Sequence, residues 1–295
     1  MSKEDCALLI EQLMTCIEDI LAEQRSSVVV EMMRASARHG TSQRVLFKAL
    51  LDAFHIPQDK VSRTLQMFLS LTTLDHFTEM VEKGEVSESE LACTSVGSQI
   101  VQAALDFDAS VVVGMVSGFL HLSAKQITDL SCKRFGSFAV QKFFSSPSVE
   151  VGHKTKVAKV LVKSPDAIST MACHPAGSHV MDALWAFANV KLKQDIAGRM
   201  LDALPSLRNS NHGRILIRNC RLEHFKRHRE EWAAKQEANA KKDAMFADIL
   251  DDNTSSSSGS APKAAPSGQD QCACAHVHVC VCARACMCMC MCVCM

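Results

Sequence analysis

The chain has 295 residues, 47% of them hydrophobic, with 32 Lys+Arg balanced by 32 Asp+Glu. This length and composition allow a sizeable core, and the zero formal net charge shows no global basic excess, although a local basic stripe could still exist. No apolar run is long enough to cross a bilayer and the acidic start MSKEDC is not a signal peptide, so we expect no membrane partner. Low counts of glycine (12) and proline (7), with apolar residues at helical spacing, predict an all-α protein.

Residues 1–84 carry weak repeat signals. SSVVVE (26–31) and VSRTLQ (61–66) both fit loosely a pattern that recurs further along the chain, and TSQRVLF (41–47) competes with them. These signals do not fix a register. We expect one or two degenerate helical repeats in this region, with an insertion.

Residues 85–221 contain a clear repeat. A frame of glycine, serine, any residue, two apolar residues and Gln or Asp begins at Gly97, Gly136 and Gly177, and recurs in decayed form at Gly213. The period of about 36 to 41 residues is typical of helical solenoids. A short helical segment precedes each frame and a longer one follows it, which gives three helices per unit. Because one unit cannot bury its apolar face alone, the sequence predicts stacked units in a right-handed α-solenoid, an armadillo- or HEAT-like superhelix.

The stretch GSHVMDALW (177–185) contains the three residue types of a hydrolase triad, Ser178, His179 and Asp182. On a helix the serine and the aspartate are neighbours, whereas the histidine is turned about 100° away from the serine, so the catalytic order cannot form. The equivalent frames replace the histidine by Gln or Phe and the aspartate by Gln. We therefore expect no catalytic site and no enzyme.

The frames instead predict a polar stripe on the concave surface of the solenoid. In each unit two short polar side chains one turn apart can hydrogen-bond a base edge, and a side chain between them can stack on a base, as in single-stranded RNA recognition with one base per repeat. Basic residues beside the stripe would contact phosphates. The candidate RNA-binding residues are Ser98, Gln99, Gln102, Lys133, Arg134, Ser137, Phe138, Gln141, Ser178, His179 and Asp182.

A second hypothesis has a different class of partner. A HEAT-like scaffold would hold a peptide or a partner helix on its concave face. An exposed stripe with basic residues nearby favours RNA, whereas a stripe covered by the chain's own helices favours the scaffold.

Beyond the repeats, residues 222–251 predict a charged capping helix with an apolar side that includes Leu222, Phe225 and Trp232. Residues 252–295 predict a disordered Ser/Pro/Gly linker followed by a Cys-rich tail of low complexity. Clustered thiolates and imidazoles could bind zinc or copper, but the tail lacks the paired spacing of a structural zinc site. Its residue alphabet is what a translated TG/CA dinucleotide repeat produces, and we expect no metal and no cofactor.

Four segments carry a resemblance to a known family. RFGSFAVQKFF (134–144) and PAGSHVMDALW (175–185) resemble pumilio-type repeats. VLFKALLDAFH (45–55) and the ending HGRILIRNCRLEHFKRHREEWAAKQ (212–236) are similar to segments of the pumilio-like nucleolar protein nine family. The resemblance covers roughly residues 40–250. It implies a nuclear, nucleolar protein that binds pre-rRNA in preribosomal particles and takes part in 18S rRNA maturation and small-subunit assembly.

The chain also departs from the family pattern in three respects. The family's full chains carry more repeats, so we expect part of the solenoid to be missing from this chain. Arg214 and Arg218 replace the base-reading pair of the last repeat, and Gln99 is a poor stacking residue.

Overall fold

The computed structural model describes residues 2–255, and within this range the chain is helical with no β-strand. The packing of Cα atoms divides the chain after Lys242. The helices are α1 (Lys3–Met14), α2 (Ile17–Ala22), α3 (Ser26–His39), α4 (Gln43–Ala53), α5 (Thr64–Ser70), α6 (Leu74–Glu82), α7 (Ser95–Ala104), α8 (Val113–His121), α9 (Ala124–Cys132), α10 (Gly136–Ser145), α11 (Val151–Lys163), α12 (Ala167–Cys173), α13 (Pro175–Phe187), α14 (Val190–Asp202), α15 (Leu204–Asn209), α16 (Asn211–Asn219), α17 (Leu222–Arg227) and α18 (Arg229–Ser255), with a 3-10 helix at Gln58–Arg63.

The central helices of the units form one continuous row. Helices α3, α7, α10, α13 and α16 pack in succession, each against the next. The first helices of the units pack against this row; they are α5, α9, α12 and α15. The third helices α8, α11, α14 and α17 also pack one after another. This arrangement confirms the predicted all-α solenoid, because each unit buries its apolar face against its neighbours.

The repeated glycine has a steric role. A Cβ at Gly97, Gly136 or Gly213 would overlap the carbonyl oxygen near the end of the preceding first helix, and a Cβ at Gly177 would lie 2.6 Å from the Met171 carbonyl oxygen. Only glycine allows the first and central helices of a unit to approach this closely.

This glycine contact also fixes the register of the N-terminal region. The carbonyl that Gly97 meets belongs to Leu69 in α5, so α5 is a first helix and VSRTLQ (61–66) is not a central frame. SSVVVE (26–31) lies in α3, which packs directly on α7 and is the central helix of the preceding unit. The insertion therefore lies inside a unit, between α5 and α7; it contains α6 and extends past the predicted boundary at residue 84.

The core runs across the unit boundaries. The Phe119 ring in α8 lies 4.4 Å from that of Phe143 in α10, and the Phe144 ring stacks at 5.6 Å on Phe187 of α13. Such pairs make neighbouring units interdependent, because each ring is buried by the adjacent unit.

The segment after the repeats is two helices rather than the single predicted one. The backbone leaves helical geometry at His228 (φ −139°), which separates α17 from α18. Trp232 in α18 is 1% exposed, and its indole nitrogen donates to the Cys220 carbonyl oxygen at 3.0 Å. The start of α18 thereby seals the last unit, whereas Met245 further along is exposed.

The end of the chain is described only in part. Helix α18 continues to Ser255, so residues 252–255, predicted to be disordered, are helical. The predictions for the remainder of the linker and for the Cys-rich tail lie outside the described residues. Between residues 2 and 255, no helix has the length and apolar character that a membrane span requires.

Candidate nucleic-acid interface

A row of side chains on the central helices faces outward. We call this row the central stripe and define it by the residues two and five positions after each repeated glycine. These two positions are three residues apart and so share one helix face. The central stripe consists of Gln99, Gln102, Phe138, Gln141, His179, Asp182, Ile215 and Arg218.

Phe138 is the most informative member of the central stripe. Its ring is 46% exposed although phenylalanine is usually buried, and it lies on α10 beside Gln141. His179 and Asp182 are likewise exposed on α13, and Gln99 and Gln102 are half-buried on α7. The described helices therefore leave Phe138, His179 and Asp182 open to solvent and cover Gln99, Gln102 and Gln141 in part.

The expectation that the frame serines are exposed is wrong. Ser98, Ser137 and Ser178 are 1%, 2% and 6% exposed. The Ser98 hydroxyl donates to the Phe135 carbonyl oxygen of the next unit at 2.7 Å, and the other two donate to carbonyl oxygens of Arg134 (3.1 Å) and Pro175 (2.8 Å). Because the close approach of the helices covers the position after the glycine, these hydroxyls bond the backbone instead of facing solvent.

The two glutamines differ in their free groups. The Gln102 amide nitrogen donates to the backbone oxygen of Ser98 at 3.2 Å and to its hydroxyl at 3.1 Å. The Gln141 amide nitrogen is buried and has no hydrogen-bond partner among the described residues. A donor in that state lacks compensation for its desolvation, and turning the amide outward would let it meet a ligand acceptor.

The electrostatics of α13 differ from those of α7 and α10. Although the Asp182 side chain reaches solvent, partial desolvation by the surrounding protein raises the pKa of its carboxyl above the usual range, and the neighbouring His179 opposes this rise. Burial, with a further contribution from Asp182, raises the pKa of the Cys220 thiol to about 12. The thiol is thus neutral at physiological pH.

The two basic residues expected to contact phosphate have partners inside the protein. The Lys133 ammonium donates to the Leu91 carbonyl oxygen at 2.6 Å, which ties the insertion to α9. The Arg134 guanidinium lies 5.4 Å from the centroid of the Phe135 ring. Lys142, on α10, is paired with Asp106.

Sequence reasoning missed a charged pair on the central helix of the first unit, next to the central stripe. Glu31 and Arg34 on α3 form an ion pair of 2.6 Å, and the Arg34 guanidinium reaches Gln99 on α7 at 3.5 Å. Glu31 occupies the last position of the SSVVVE frame, which was the available signal.

Three-helix units stacked with an open polar row on their central helices define a helical-repeat protein of the pumilio class. The family model described as "NOP9-like PUF repeat domain" matches residues 1–215, and the chain belongs to this family.

Curated relatives agree with this assignment. The chain is 29% identical to "Nucleolar protein 9" of Mus musculus over 85% of its own length and 41% of the relative's. It is 28% identical to "Nucleolar protein 9" of Homo sapiens over 82% of its own length and 39% of the relative's. The chain therefore spans about two fifths of the length of these relatives.

Solved structures share the fold. The structure of "APUM23-deletion-of-insert-region-GGAAUUGACGG" superposes with a TM-score of 0.70 at 20% identity, over 81% of this chain and 45% of that one. The structure of "APUM23-GGAAUUGACGG" gives 0.69 at 20% identity, over 81% and 44%.

Proposed function

We propose that the chain binds single-stranded RNA along the central stripe, with successive units contacting successive bases. The observation that carries this proposal is the pair on α10, where the exposed Phe138 ring adjoins the unpartnered amide of Gln141. An aromatic ring can stack on any base, and an amide offers a donor and an acceptor to a base edge.

The neighbouring units supply related chemistry. His179 can stack on a base while the Asp182 carboxylate accepts from an amino group, and on α7 the Gln102 oxygen stays available as an acceptor. The buried serines hydrogen-bond backbone carbonyl oxygens and thereby position these helices. They are not part of the proposed base contacts. Lys133 and Arg134 can still contact RNA phosphates, but only through the N–H groups that are not used in their contacts inside the protein.

The biological setting is part of the proposal. Membership of the family and the names of the mouse and human relatives support a role in the nucleolus, where pre-rRNA within preribosomal particles is the proposed partner. The bound RNA is then a segment of the small-subunit precursor, and the protein assists 18S rRNA maturation by binding.

The test is a fluorescence-anisotropy titration of the full chain with labelled GGAAUUGACGG, the nucleotide sequence carried by the fold neighbour, and with a scrambled RNA of the same composition. We expect saturable binding. Phe138→Ala should weaken it roughly tenfold, because stacking on an aromatic side chain contributes about 1–3 kcal/mol per base.

The matched control is Val113→Ala, which removes an exposed apolar side chain from the third helix α8. It should leave the affinity for RNA unchanged. Both variants should have the melting temperature of the unmutated chain, because neither side chain is buried. The absence of saturable binding by the unmutated chain to either RNA would refute the proposed function. Equal effects of both variants on the affinity would show that Phe138 does not contact the RNA.

A further inference from the structure

The last unit departs from the others in the central stripe and at the position just before it. In α16 the residues one, two and five positions after the glycine are Arg214, Ile215 and Arg218. In the three preceding units these positions hold a buried serine, a planar or amide side chain, and an amide or carboxylate. Ile215 is 47% exposed but has no flat face for stacking on a base, and arginine side chains only donate hydrogen bonds.

Both guanidinium groups are accessible. Arg214 and Arg218 are exposed and four residues apart, which puts their Cβ atoms about 5–6 Å apart on one face. Arg214 donates to the Asn211 side chain, and the Arg218 guanidinium has no hydrogen bond or ion pair among the described residues. The nearby Glu223 is already paired with Arg208 at 2.6 Å.

The charge within the α16 segment is of one sign. Residues 211–222 contain three arginines and neither Asp nor Glu, in a chain whose formal net charge is zero. The Asp182 carboxyl of the adjacent central helix acts on the Cys220 thiol at the end of α16, so one acidic group lies within electrostatic reach of this segment. The arginines of the segment outnumber it, which leaves an excess of positive charge at this end of the central stripe.

We infer that α16 is a phosphate clamp, in which Arg214 and Arg218 hold the RNA backbone where the base-reading units end. The inference rests on the proposed function and extends it, because it assigns the last unit a ligand different from that of its neighbours. A guanidinium matches phosphate oxygens with two parallel hydrogen bonds, and two such groups one turn apart can hold adjacent phosphates. Contacts of this kind fix the RNA in place without reading its sequence.

The test compares the salt dependence of RNA binding by the full chain and by Arg214→Gln/Arg218→Gln. The probes are GGAAUUGACGG and a set of variants in which each guanine in turn is replaced by adenine. For single strands each phosphate contact contributes about 0.7 to the slope of log affinity against log salt, so the double variant should lower the slope by about 1.4. That change corresponds to a loss of roughly 10- to 30-fold at 0.1 M monovalent salt, shrinking as salt rises, and equal for all probes.

The control Lys226→Gln/Arg227→Gln removes the same charge from α17, outside the central stripe, and should keep the slope of the parent. Arg214→Lys/Arg218→Lys, which retains charge, should recover most of the slope. An unchanged slope in the glutamine variant, or a loss confined to RNAs with guanine at one position, would overturn the clamp while leaving RNA binding intact. Failure of the unmutated chain to bind any probe would instead refute the proposed function and the clamp with it.

Discussion

The residue after each repeated glycine shows how backbone packing decides the use of a side chain. At Gly177, a Cβ would lie 2.6 Å from the Met171 carbonyl oxygen and 2.8 Å from its Cα. The approach that the glycine permits also covers Ser178, whose hydroxyl then needs an internal acceptor. A short polar side chain suits this position after Gly97, Gly136 and Gly177 because it can satisfy its hydrogen bond inside the protein, whereas the last unit has the exposed Arg214 there.

Two glycines in helices give a matched pair of substitutions. Gly177→Ala should lower the free energy of unfolding by about 1–3 kcal/mol, because the added methyl group must displace backbone atoms of α12. Gly198→Ala, in α14, should raise it by about 0.5–1 kcal/mol, since its Cβ meets nothing within 4 Å and alanine favours the helix. Urea titrations followed by far-UV circular dichroism measure both changes. A tolerated Gly177→Ala would contradict the steric role of the glycine.

Among the elements, the insertion between α5 and α7 depends on long-range hydrogen bonds from its neighbours. Gln66 on α5 donates to the Glu90 carbonyl oxygen at 3.1 Å, and Gln126 on α9 donates to that of Ser89 at 2.9 Å. Lys133 completes the set through Leu91. The segment thus bridges the first helices of two consecutive units.

Lys133→Met should loosen this segment without unfolding the protein. A hydrogen bond from a charged donor contributes about 1.5–3 kcal/mol, so we expect cleavage by a glutamate-specific protease at Glu85, Glu88 and Glu90 to accelerate by roughly tenfold. Lys125→Met, at an exposed position on the same helix α9, is the control and should leave the cleavage rate unchanged. Equal cleavage of both variants would show that Lys133 does not anchor the insertion.

For the molecule as a whole, stacked units make the ends of the stack the weak points. Each unit is covered by its neighbours, so the outer face of the last unit needs another element to cover it. Trp232 provides that cover: its ring lies 4.8 Å from Phe225 and 5.9 Å from Trp185, which links the last two units.

Trp232→Ala should lower the free energy of unfolding by about 3–5 kcal/mol, the usual cost of deleting a buried aromatic side chain. Hydrogen exchange should accelerate first in α16 and α17, the helices next to the lost contact, and later in α3 and α4. Trp232→Phe should cost less, because it keeps most of the ring packing and loses the bond to Cys220. Uniform acceleration along the chain would show that the stack unfolds as one unit and that the end has no separate weakness.

The sequence by itself determined the helical class, the positions of four central helices and the family. These features depend on apolar spacing, on a recurring glycine and on a motif within one helix. Such local patterns can be recognised without knowledge of contacts between residues far apart in the chain. The openness of the central stripe at Phe138, His179 and Asp182 was also predicted, since it follows from the face of a single helix.

Tertiary structure alone decided the burial of the frame serines, the partner of Lys133 and the register before residue 85. Each depends on residues far apart in the chain: Ser98 with Phe135, Lys133 with Leu91, and Gly97 with Leu69. A polar side chain on a helix has the same local signal whether a neighbouring helix covers it or solvent does. Only the packing of one unit on the next distinguishes a hydroxyl that bonds the backbone from one that is free to bind RNA.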